Sequence, residues 1–98
     1  MTFPDQVELA DTVAAAAVSV SGVAGLHGGE FGEIATYLPG RKVVGIRIDD
    51  QLCEVHISAE YPTDLGGVAA GVRAAVQPLM PVPVAVTIED VVETGARQ

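Results

Sequence analysis

Tryptophan is absent, and two tyrosines and two phenylalanines are the only aromatic residues in the 98-residue chain. With so few large rings, any core has to be built from Val, Ala, Ile and Leu. Cysteine occurs once, as Cys53, so no internal disulfide can form and a reducing compartment, the cytoplasm, is the expected setting. Basic residues are scarce as well, 5 Lys and Arg against 13 acids, for a net charge of −8. A polyanion attracts basic surfaces, so this balance speaks against nucleic acid as a partner and against an anionic membrane surface. No long apolar run occurs either: the Ala-rich segment near the start is interrupted by Asp11, and "MTFPDQVELAD" lacks a basic leader region. Neither a signal peptide nor direct membrane insertion is expected.

What is present is a 49% hydrophobic chain without low-complexity stretches, the composition of one folded domain, 1–98, with its core over about 5–93. Asp5 with Glu8 has the spacing of a capping box. Leu9, Val13, Ala16 and Val20 follow on one helical face, which predicts a helix over 5–20. Glycines break it in "SGVAGLHGG", where Val23–Leu26 has the look of a short strand. "KVVGIRIDD" and "QLCEVHISAEY" then alternate with period two. Val44, Ile46 and Ile48 share one face of the first, and Cys53, Val55, Ile57, Ala59 and Tyr61 one face of the second. The opposite face carries Arg47, Asp49, Glu54, His56, Ser58 and Glu60. An antiparallel hairpin with one dry and one wet face is implied. Leu65, Val68, Val72 and Val76 restore a helical period behind Thr63 or Asp64 as cap, and Pro78 ends or distorts that helix. A final strand holds Val84, Val86 and Ile88 inward and Thr87 and Glu89 outward, and because it follows a helix it should run parallel to an earlier strand. The order α-β-β-β-α-β predicts an α+β fold, a two-layer sandwich with two helices on one face of a small mixed sheet and a short first strand.

The segment "HGGEFGEIATYLPGRK", His27 to Lys42, invites a phosphate-loop reading. Arg41 and Lys42 are followed by a strand, however, where a phosphate loop requires a helix, and Glu30 and Glu33 would repel an anion. "GEFG" at Gly29–Gly32 has the letters of the GXXG loop of KH domains, yet its variable pair is Glu30–Phe31 in an acidic chain. Otherwise the stretch is a connector whose glycines permit positive φ. His56 with Glu54, Ser58 and Glu60 forms a row on the wet face, which as a collinear set reads as a solvated surface and not as a converging site. Cys53 points inward, where a thiol is inert, and His27 has no partner that sequence can name.

Taken in order, the helix running into "VSGVAGLHGG", the connector ending in "GRK", "VVGIRI", "CEVHISAEY", the helix "VAAGVRAAV" and the closing "VAVTIEDVV" form a recognisable pattern. Over residues 6–93 the chain resembles the alkaline-shock-protein family, also described as the envelope stress response family of Gram-positive bacteria and actinobacteria. The resemblance implies a non-enzymatic cytoplasmic scaffold that self-associates as a homo-oligomer and is held near the membrane by a small membrane-anchored protein. It carries over no catalytic residues, no cofactor and no metal. A KH-like RNA-binding module and, behind it, a small enzyme are the alternatives. The helical period also outlines a contact surface: Gly67, Ala70 and Ala74 on the outside of the second helix with Arg73 at its flank, and Val7, Ala14 and Val18 on the outside of the first.

Overall fold

Residues 6–93, with side chains from Leu9 onward, are described by the structure, a computed structural model. Helix α1 spans Gln6–Val18 and buries Ala10, Val13 and Ala17, a stripe displaced from the expected Leu9, Ala16 and Val20, which are half-buried beside it. The capping pair Asp5 and Glu8 lies outside the described residues and side chains. Helix α2, Leu65–Val76, buries Val68, Val72 and Val76, one residue per turn, as the period required. Asp64 holds the N-cap position without a side-chain bond, and the helix passes into a single 3₁₀ turn, Gln77–Leu79, that contains Pro78. Leu65 was expected to face inward but stays 40% exposed, because it sits in the first turn, ahead of that stripe.

The described residues form six strands: β1 Val23–Leu26, β2 Ala35–Leu38, β3 Arg41–Val44, β4 Ile46–Ile48, β5 Cys53–Tyr61 and β6 Val84–Glu93. The centre of the main sheet is β5. Strand β6 runs parallel to it along its whole length, as a strand returning from a helix should. On its other side β4 and β1 lie end to end, both antiparallel, β4 along Cys53–Val55 and β1 along Ile57–Ala59. His56 bridges the junction: its N–H donates to the Gly45 carbonyl (2.8 Å) and its carbonyl accepts from His27 N–H (2.9 Å). Between β4 and β5, the Asp49 carboxylate accepts from the amides of Gln51 and Leu52 (2.7 and 2.8 Å) and shapes the short turn expected at "DDQ".

Both helices pack on one face of this sheet, so the expected two-layer α+β sandwich is the fold observed. Val13, Ala17, Val68, Val72 and Val76 meet Ile46, Cys53, Val55, Ile57 and Val84 between the layers. The segment read as a connector contains a further antiparallel hairpin, β2–β3, so the order becomes α-β-β-β-β-β-α-β. Gly45, at φ +87°, breaks the strand expected in "KVVGIRIDD" into β3 and β4. That break inverts the alternation before it: Val43 is buried, and Val44, expected inside, is 38% exposed.

Candidate functional site

The outer surface of the helical layer is small and almost uncharged. Gly67, Ala70, Arg73 and Ala74 are exposed on α2, and Val18 is 47% exposed at the end of α1. Ala14 is half-buried and packed against the core, so it does not belong to that surface; the stripe of α1 is turned toward it relative to the sequence expectation. Val7 lies within α1, but its side chain is outside the described residues. Arg73 is not free at the flank: its Nε donates to the Val84 carbonyl at 3.3 Å. Helix α2 meets the turn that follows α1 where Gly71 faces Val20. A Cβ on Gly71 would stand 3.0 Å from Val20 Cγ1, so glycine sets how closely they approach.

Opposite the helices, the sheet face gathers charge. Arg47 pairs with Glu54 (Nε–Oε2 3.1 Å), Glu54 faces His56 Nε2 (3.5 Å), and His56 Nδ1 meets Glu89 Oε2 at 2.5 Å. The network therefore crosses β4, β5 and β6. Strict alternation placed His56 on this face correctly but as a solvated residue, whereas it is buried, 9% exposed. Alternation along the last strand put Glu89 outward with Thr87 but gave no sign that it meets His56. A register shift between Ile57 and Ser58 makes Glu89 the extra residue of β6, and its carboxylate reaches His56.

His27, for which the sequence offered no partner, accepts the Gly29 N–H at Nδ1 (2.9 Å) and turns Nε2 toward Asp90 (3.8 Å). Amides of the glycine-rich loop, those of Gly29, Phe31, Gly32 and Ile34, are occupied from within. Phe31 N–H donates to the Glu33 carboxylate (3.2 Å), Gly32 N–H to Gly29 O (3.1 Å) and Ile34 N–H to Gly28 O (2.9 Å). A phosphate-cradling loop offers such donors to its ligand, and here they are spent on the loop's own fold. Arg41, the first of the two basic residues, is also engaged. Its guanidinium grips Asp11 of α1 through both terminal nitrogens (3.1 and 2.7 Å), which lowers the Asp11 pKa and raises that of Arg41. Burial and, secondly, the neighbouring Glu54 push the Cys53 thiol up to about 11, the behaviour of an inert core thiol.

Among the described residues no group of three or more His, Cys, Asp and Glu could hold a metal ion, and no helix is long and apolar enough to cross a membrane. Comparison with protein-family models, with curated proteins and with solved structures finds no match. Function has to be argued from the residues themselves.

Proposed function

We propose that the chain is a non-enzymatic interaction protein of the alkaline-shock type, serving the cell-envelope stress response from the cytoplasm. It self-associates through its helical layer, with a small membrane-anchored protein as the other candidate occupant of that surface. The observation that carries this reading is the uneven distribution of charge. Copies with a net charge of −8 repel one another. The acids Glu54, Glu60, Glu89 and Asp90 belong to β5 and β6, while α2 contains one charged residue, Arg73, and no Asp, Glu, Lys or Arg occurs between Thr12 and Gly29. Approach through the helical layer therefore meets the least repulsion and finds exposed apolar side chains there, Val18 and Leu65.

Replacing Ala70→Glu and Ala74→Glu together tests this, since both side chains are exposed and the fold does not depend on them. Light scattering should show an oligomer for the parent and a monomer for the double variant. A parent that stays monomeric at high concentration removes self-association. An oligomer unchanged in the double variant places the interface elsewhere. Pulldown with membrane fractions retained, using both forms, reports whether a membrane-anchored protein is lost with the same substitutions.

A further inference from the structure

The free edge of the sheet lies beside the helical surface just described. Among the described residues β6 pairs with β5 alone, so its other edge is open. Cys53 N–H donates to Pro83 O (2.9 Å), which points the backbone of Pro83 at β5 and, by alternation, those of Val84, Val86 and Ile88 away from it. At Val84 that outward pair is closed by α2 and its extension: the N–H donates to Gln77 Oε1 (3.1 Å) and the carbonyl accepts from Arg73 Nε (3.3 Å). Beyond Val84 no such cap follows among the described residues, and the straight edge continues to the register shift at Glu89. Val86 and Ile88 thus present two N–H and two C=O groups to a neighbouring strand. The opposite edge is less open, because the Thr36 hydroxyl already donates to the Ile46 carbonyl (2.6 Å).

Resting on the self-association reading, we propose that the occupant of this edge is a second copy, joined antiparallel along β6 about a two-fold axis at Thr87. Val86 of each copy then exchanges both backbone hydrogen bonds with Ile88 of the other, and the two sheets become one. The exposed Thr87 meets its own counterpart on the axis, a favourable cross-strand pair. Charge selects the antiparallel sense. Glu89, Asp90 and Glu93 cluster at one end of the edge, Arg73 closes the other, and no Lys or Arg lies between Ala74 and Glu93. Antiparallel pairing sets the acidic end of each copy toward the Arg73 end of its neighbour, whereas parallel pairing would set acid against acid. The helices agree with this geometry. Arg73 and Gln77 both reach Val84, so their side of α2 is the one above the free edge, and Ala70, one turn before Arg73, shares that side. A small residue there leaves room for α2 of the second copy.

The decisive experiment is a charge swap on the axis, measured by sedimentation. Thr87→Lys and Thr87→Glu each place like charges face to face in a homodimer and should weaken self-association at least about tenfold. An equimolar mixture of the two should associate again, as a heterodimer, which a merely destabilising substitution would not produce. In the unmodified protein, the Val86 and Ile88 amides should become protected from hydrogen exchange as concentration rises. If the parent is monomeric throughout, self-association and this edge pairing both fall. If the parent associates and both Thr87 variants associate equally well, or the mixture shows no rescue, the edge pairing is wrong while association through the helical layer stands.

Discussion

His56 shows how far one side chain can depart from its strand pattern. Its parity along β5 was legible and gave the correct face. Its burial was not legible, because the carboxylates beside it come from different places: Glu54 two residues away on the same strand, and Glu89 through a parallel pairing that brings residues 33 apart together. Both glutamates are themselves half-buried, and although Glu54 keeps Arg47, deleting the ring takes from Glu89 its partner where water only partly reaches the carboxylate. His56→Ala should cost about 1–3 kcal/mol in urea denaturation, well above an ordinary surface site. His56→Gln, which restores one donor toward Glu89, should recover part of that. A loss below about half a kcal/mol for the alanine variant would mean that the ring contributes no more than a solvated residue.

At the scale of elements, the helices and the long strands β5 and β6 were legible because each repeats its period several times. The pieces that were not legible are short and defined by contacts far along the chain. Strand β2 offers only "ATYL", and the β2–β3 hairpin is placed by Arg41 gripping Asp11 and by the Thr36 hydroxyl on Ile46 O, bonds to elements outside it. Leu65 illustrates a second limit: a period says which side of a helix a residue takes, not how far along the axis its packing partner reaches. Gly45 is the hinge on which the β3–β4 reading turned. Its φ of +87° lies in the left-handed region, and a Cβ there would stand 2.9 Å from both the His56 carbonyl and Leu26 Cβ. Gly45→Ala should therefore destabilise by about 3 kcal/mol, with strain and clash acting together. Gly32, at φ +70° with open space around it, isolates the strain alone, and Gly32→Ala should cost only about 1 kcal/mol. Equal thermal shifts for the two would show that the crowding at Gly45 relaxes without cost.

For the whole molecule the deciding feature is that one core serves every layer. The cluster around Val72 joins α1 through Ala10, Val13 and Ala17, the sheet through Ile46, Val55, Ile57 and Val84, and the β2–β3 hairpin through Val43. No element keeps a core of its own, so the domain should unfold as one cooperative unit. Aromatic poverty sharpens the dependence: the largest fully buried side chains are Val, Ile and Cys, each contributing little area, and the total stability of a domain this size is only roughly 5–15 kcal/mol. Val72 has no accessible surface and no basic group from its own helix beside it other than Arg73, whose Nε is already committed to Val84. An aspartate at this position would be an unpaired charge inside the shared core, a cost of several kcal/mol on top of the lost packing. Val72→Asp should abolish the cooperative thermal transition and broaden the spectrum of the entire chain. Ala74→Asp, two residues on and exposed, should leave the transition within about half a kcal/mol of the parent. If the Val72→Asp protein still melted cooperatively near the parent's midpoint, α2 would have to present a different face to the sheet.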